Sequence, residues 1–160
     1  MKHTVLLSML SLSACHWGFR PDPAEGRYRT GEPTTPWKKV PPGSADKAWV
    51  NADDSAAIYA DSNCGRRYSD ESLEGMLDHL TAGIAQGDPI DEQQLRLADR
   101  EALIRIWQAS LDGVSLQLGA LILKRNDCIY DVLYIAPEAS FERNWAEFER
   151  VFQGFQVEGI

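Results

Sequence analysis

The chain is poor in the residue types and spacings that announce chemistry. Its 160 residues hold three cysteines and three histidines. There is no CxxC pair, no histidine cluster and no zinc-ligand spacing, so neither a dithiol redox centre nor a metal site is expected. A G-x-S-x-G nucleophile elbow and a glycine-rich phosphate loop are both missing, which removes common signatures of acyl and phosphoryl transfer. Asp53, Asp54 and Asp61 lack the spacing of a calcium loop. Basic charge is scarce as well. Residues 44–160 carry 10 basic and 21 acidic side chains, a net of −11, and such a body repels nucleic acid. The expectation is a protein that is not an enzyme, holds no cofactor and binds no nucleic acid.

What is present begins with an address. Met1 to Ala14 reads MKHTVLLSMLSLSA: one lysine, an apolar run from Val5 to Leu12, then small residues. That is a signal peptide, and its apolar run is too short for a membrane-spanning helix. Leu12-Ser13-Ala14-Cys15 has the form of a bacterial lipobox, in which the Cys15 thiol takes a diacylglyceryl group and becomes the first residue after cleavage. An ordinary secretory signal with a chance cysteine is the bland alternative. Two or more acyl chains anchor a protein stably at ~0.8 kcal/mol per buried CH₂. His16 follows Cys15 where an inner-membrane retention aspartate would stand, so the expected location is the outer membrane, facing the periplasm.

Residues 15–43 read as a tether. His16 to Gly43 contains Pro21, Pro23, Pro33, Pro36, Pro41 and Pro42 and no apolar periodicity, so neither helix nor sheet is expected to run through it. Trp17, Phe19, Tyr28 and Trp37 are unusual company for a linker.

The globular domain is expected over 44–160. Ala48–Val50 and Ala56–Ala60 suggest a hairpin. Ser69-Asp70-Glu71 starts a helix running to about Ala85, with Leu73, Met76, Leu77, Leu80 and Ile84 as a core stripe. His79 lies beside that stripe with no nucleophile or acid spaced to meet it, so it reads as an exposed helix residue. A turn at Gln86–Pro89 and a polar strand at Ile90–Ala98 follow, and Asp99-Arg100 turns the chain into the next run.

Glu101–Ala136 carries the strongest signal. Asp112-Gly113 is a two-residue hairpin turn, pairing Leu111 with Val114, Ala109 with Leu116 and Trp107 with Leu118. Asn126-Asp127 is a second turn, pairing Arg125 with Cys128, Leu123 with Tyr130 and Leu121 with Val132. Alternation then separates a dry face, expected to be buried almost throughout (Leu103, Trp107, Ala109, Leu111, Val114, Leu116, Leu118, Ala120, Ile122, Ile129, Leu133, Ile135), from a half-dry one. Arg105 and Asp131 are the only charges on the dry face. The half-dry face combines Ile104, Ile106, Leu121, Leu123, Cys128, Tyr130, Val132 and Tyr134 with a polar end of Gln108, Ser110, Ser115 and Gln117. Ser140 caps a last helix, Phe141 to Phe155, whose aromatic stripe is expected to cover the dry face; Gly154 stops it.

Cys64 and Cys128 remain once Cys15 is lipidated. In an oxidising compartment they are expected to form a disulfide worth roughly 4 kcal/mol in the chain-entropy model. A redox or metal pair is the alternative.

The order strand–helix–strands–helix, with Leu111-Asp-Gly-Val, Lys124-Arg-Asn-Asp-Cys-Ile-Tyr-Asp, Ile135-Ala-Pro and the Phe148–Phe155 helix, resembles the PsbP-like α/β/α sandwich. It is also similar to uncharacterised proteobacterial lipoproteins. The resemblance implies an α+β domain with a single antiparallel sheet of about five or six strands covered by helices. It further implies a binding or assembly role rather than catalysis. The expected function is thus a lipid-anchored binding or scaffold module with an envelope protein partner. The polar end Gln108, Ser110, Ser115 and Gln117 is the candidate contact patch. A carrier of a small apolar ligand and, further off, an envelope hydrolase are the alternatives.

Overall fold

A computed structural model describes residues 27–65, 70–125 and 127–158. The signal peptide, the Cys15 lipobox, Ser69 and Asn126 lie outside the described residues. Nine strands and two helices occupy the described chain. In order they are β1 (Tyr28–Arg29), β2 (Lys38–Val40), β3 (Lys47–Asn51), β4 (Ala56–Cys64), α1 (Leu73–Thr81) and β5 (Ala85–Leu97). Then come β6 (Arg100–Leu111), β7 (Val114–Arg125), β8 (Cys128–Ala136), α2 (Glu138–Gln153) and β9 (Gln156–Val157). Seven strands form one antiparallel sheet in the order β2-β3-β4-β8-β7-β6-β5, and β1 pairs with β9 in a separate two-stranded sheet. The sheet is therefore wider than the expected five or six strands.

Local chemistry sets the register of the central meander. Asp112 and Gly113 both adopt positive φ, 51° and 79°, which matches the twist of a two-residue hairpin. Leu111 pairs with Val114, Ala109 with Leu116 and Trp107 with Leu118. Across the next turn Arg125 pairs with Cys128, Leu123 with Tyr130 and Leu121 with Val132. All six pairings follow the sequence reading. The β5–β6 turn sits one residue earlier than expected, on Ala98 and Asp99, with Leu97 facing Arg100. Gln86–Pro89 does not form a separate turn either. It is a bulge inside β5, where the register slips between Gln86 and Asp91; the edge tolerates Gly87 at φ 68° and Pro89 because neither is required in a second ladder.

Both helices differ from expectation at their ends. The α1 N-cap is Ser72, whose hydroxyl accepts from the Gly75 N–H at 3.1 Å. The helix stops at Thr81, and Gly83 turns left-handed at φ 86° just beyond it. The α2 helix starts three residues before Phe141, after Pro137. Ser140 is inside it, buried, and its hydroxyl donates to the Asp54 and Pro137 carbonyls instead of capping.

The helices also exchange faces relative to the sequence reading. Met76 and Leu77 of α1 pack with Leu103, Trp107, Ala109, Leu116, Leu118, Ala120 and Ile122, the face read as dry. The hairpin-tip pair of that face, Leu111 and Val114, is instead exposed, beyond the reach of the short helix. The long aromatic helix covers the other face. There Phe141, Phe148, Val151 and Phe152 pack with Leu121, Leu123, Tyr130, Val132 and Tyr134. At ~1.5–3 kcal/mol per buried large apolar side chain, this layer is a major part of the core. Tyr134 stacks on Phe141 and Phe148 at centroid distances of 4.7 and 5.6 Å, and its hydroxyl donates to the Phe141 carbonyl at 2.8 Å. Gly119 makes this closeness possible, since a Cβ there would lie 3.0 Å from the Trp145 ring.

The second half of the expected tether is part of the domain. Residues 28–40 run back along α2 and end as the edge strand β2. Tyr28 is buried against Tyr130 and Phe155, and Trp37 is buried beside Tyr134. Thr34 donates through its N–H and its hydroxyl to Glu147, both at 2.7 Å. Glu32 accepts from Trp49 Nε1 at 2.6 Å. Where this strap crosses the end of α2 the backbones touch: Gly31 N–H donates to the Val151 carbonyl at 2.9 Å, and a Cβ on Gly31 would fall 2.0 Å from the Arg150 carbonyl oxygen. Proline content excludes a long helix or strand here, but it does not prevent extended chain from being held by aromatic side chains and backbone bonds.

Candidate functional site

The four candidate patch residues come together. Gln108 pairs directly with Gln117, and Ser110 with Ser115, as successive same-face pairs of the β6–β7 hairpin. Gln86 of β5 extends the row, opposite Gln108. Ser115 is exposed; Gln108, Ser110 and Gln117 are half-buried. They lie on the α2 face of the sheet, but α2 rests chiefly on β8, β7 and β4. Ile104 is buried in the α2-side core and Ile106 is half-buried, so the part of the β5–β6 side that forms a shelf beside the helix is the polar end toward the hairpin tip. Amide and hydroxyl side chains at this spacing can exchange hydrogen bonds with a backbone or a sugar.

Cys64 and Cys128 are brought to disulfide distance, with sulfurs 1.95 Å apart. They are register partners at the end of the β4–β8 ladder, on the α2 side of the sheet as the alternation requires. His79 is exposed as expected, but an acid does meet it: its Nδ1 lies 2.8 Å from Oε1 of Glu71, which stands just ahead of the same helix.

One pair of chemically unusual groups escaped the sequence reading. Asp61 of β4 stands directly opposite Asp131 of β8. Asp131 is buried, only 6% exposed. Burial, then the carboxylates of Asp61 and Asp46, push its carboxyl up to about 7, since removing a charge from water and placing it beside like charges both disfavour ionisation. Burial raises Asp61 as well. The signal that could have located the pair was the cysteines: three residues back from Cys64 and three on from Cys128 reach Asp61 and Asp131. Arg105, the other charge on that face, is clamped between Asp78 of α1 at 2.9 Å and Glu92 of β5 at 2.6 Å.

A cleft of about 800 Å³ opens at the start of α1, lined by Glu71, Ser72, Arg96, Arg100, Glu101 and Lys124 among others. Its charges are mixed in sign. None of its lining residues comes from α2. Among the described residues no group of three or more His, Cys, Asp or Glu side chains is arranged to hold a metal ion, and no helix is long and apolar enough to cross a membrane.

No protein-family model matches the chain. No curated protein matches it at a significant level either. Solved structures do. LpqN of Mycobacterium tuberculosis, described as involved in cell envelope biogenesis, is similar with a TM-score of 0.56 at 12% identity, over 81% of this chain and 82% of that one. CyanoP, the cyanobacterial PsbP of Synechocystis, aligns with a TM-score of 0.53 at 11% identity, over 76% of this chain and 81% of its own. A Pseudomonas aeruginosa protein of unknown function, described as a putative regulator, aligns with a TM-score of 0.53 at 13% identity, over 81% and 86%. At these identities the likeness is one of fold: a mostly antiparallel sheet with two helices, of the PsbP-like kind.

Proposed function

We propose that the chain is an envelope lipoprotein, anchored to the outer membrane through a lipid on Cys15 and facing the periplasm, whose domain binds or scaffolds an envelope protein partner. The reading is carried by the shelf beside α2, where Gln108, Gln117, Ser110 and Ser115 are register neighbours on a stretch of sheet that the helix leaves open. Two further facts support it. The lipobox Leu12-Ser13-Ala14-Cys15 supplies an address, and LpqN, which shares the fold, is described as a protein of cell envelope biogenesis. Bonding of Cys64 to Cys128 suits the same oxidising compartment. The test is affinity purification of the full-length protein from solubilised membranes, with mass spectrometry of the bait and its companions. A companion recovered by the wild type and lost when Gln108 and Gln117 are both changed to lysine is the expected result. Equal recovery by both proteins would sink the shelf as the contact surface. A Cys15 peptide without an acyl adduct would sink the anchor.

A further inference from the structure

The two edges of the seven-stranded sheet are finished differently. At one edge β2 is three residues long and continues the strap that lies along α2. At the other, β5 is thirteen residues long, and nine of them in succession, Gln86 to Gln94, are exposed. Nothing pairs with its outer side in the described sheet. A long bare edge is a template for another strand, because its outward N–H and C=O groups lack ladder partners.

The N-terminal part of β5 is unsuited to pairing, since Gly87 and Pro89 sit in the bulge. The remainder is regular: Asp91 to Leu97 oppose Ile106 to Arg100 one for one. This segment reads Asp91-Glu92-Gln93-Gln94-Leu95-Arg96-Leu97. Glu92, Gln94 and Arg96 lie on one face, and Asp91, Gln93 and Leu95 on the other.

That sequence is complementary to itself in one register. A two-fold axis perpendicular to the sheet keeps each residue on its own face, so an antiparallel pair of β5 strands must be centred on a residue. Centred on Gln94, it sets Glu92 opposite the second copy's Arg96, and Arg96 opposite the second copy's Glu92. Centring on Gln93 or Leu95 pairs neither charge with its opposite, and centring on Glu92 sets two glutamates face to face. Both charges are available. Glu92 Oε2 is held by Arg105 Nε at 2.6 Å, which leaves Oε1, and Arg96 uses one guanidinium nitrogen on the Asp99 carbonyl at 3.2 Å.

We infer that two copies of this chain associate through β5, antiparallel and centred on Gln94, so that their two seven-stranded sheets become one continuous sheet. The occupant of the edge is a second copy because the charge pattern is self-complementary. Cross-strand opposite charges favour that register and like charges oppose the others. A single-strand edge contact falls at the small end of specific interfaces, so the dissociation constant should be on the order of micromolar or weaker.

The test is sedimentation equilibrium of the full chain that follows signal cleavage, carrying Cys15→Ser so that no lipid drives association. With Glu92 and Arg96 intact it should show a monomer–dimer equilibrium between roughly 1 μM and 1 mM. Glu92→Arg and Arg96→Glu should each be monomeric over that range, with circular dichroism spectra matching the parent. Mixed one to one, the two variants should form a heterodimer, because each of the two cross-strand contacts then again joins an arginine to a glutamate. Arg96→Glu leaves the Glu92–Arg105 contact in place, so it decides the matter alone should Glu92→Arg fail to fold. A parent that stays monomeric throughout overturns the inference and leaves the edge to a strand of a different protein. Dimers that survive Arg96→Glu, or two folded variants that fail to combine, overturn it too.

Discussion

The two faces of the sheet are covered in different ways. On one, a sixteen-residue helix lays Phe141, Phe148, Val151 and Phe152 over β8, β7 and β4, and a strap from the N-terminal side is laced along it. On the other, a nine-residue helix contributes Met76 and Leu77 as its buried apolar side chains, and a carboxylate, Asp131, is buried in the sheet nearby. The first face puts aromatic area into stability; the second tolerates a group that works against it. Their difference teaches that a sheet residue's dryness does not report the size of its cover. Leucine, isoleucine and tryptophan side chains crowd the α1 face so fully that a short helix completes it. The α2 face has a glycine, Gly119, where ring atoms come down to the backbone.

Substitution should break this comparison most sharply in the aromatic layer. Phe148→Ala removes a fully buried ring that touches Tyr134 and Phe152, and is expected to cost ~3–5 kcal/mol. Leu77→Ala on the other face should cost ~2–4 kcal/mol. Urea unfolding of the two proteins checks the order, and a larger loss at Leu77 would reverse the picture of a thick face and a thin one.

The buried acid comes next. Its folded-state carboxyl titrates at about 7, well above the unfolded value, so near neutrality the folded protein holds a proton that the unfolded chain has lost. The stability associated with protonated Asp131 is therefore fully present in acid, below the unfolded value, and is lost as pH rises to about 7. Asp131→Asn should raise the melting temperature at pH 8, recovering on the order of 2–4 kcal/mol, and flatten the decline between about pH 4 and 7. An unchanged pH profile would show that Asp131 does not govern it.

The smallest effect sharpens the comparison at the strap. Gly31→Ala forces a methyl into the Arg150 carbonyl, which should cost roughly 1–3 kcal/mol. Amide hydrogen exchange should then quicken at Gly31 and Thr34 while the β6–β7 ladder stays protected.

Much of the fold was legible because its signals are local. A two-residue turn with Asp112-Gly113 dictates every pairing above it, and a stripe of aromatics at helical spacing announces α2 wherever it docks. What was not legible depends on distance. Alternation divides residues between two faces but carries no label for which helix meets which, so the assignment of α2 was inverted. The strap was hidden by its prolines, although Tyr28 and Trp37 in a supposed linker pointed to burial. At the candidate site the patch followed from the hairpin register alone, whereas the Asp61–Asp131 pair needed the contact between β4 and β8, far apart in the chain.

The strap has a mechanical meaning. Any tension applied to the chain ahead of Arg27 arrives first at the two-residue β1–β9 ladder, then at the Gly31–Val151 bond, then at the Thr34–Glu147 pair. These contacts meet the pull one after another, as a zipper does, and not all together. The sheet feels the pull step by step, through Tyr28 on Tyr130, Glu32 on Trp49 and Trp37 on Tyr134, so the chain released on the way lengthens the reach of the domain at the cost of one edge of its core.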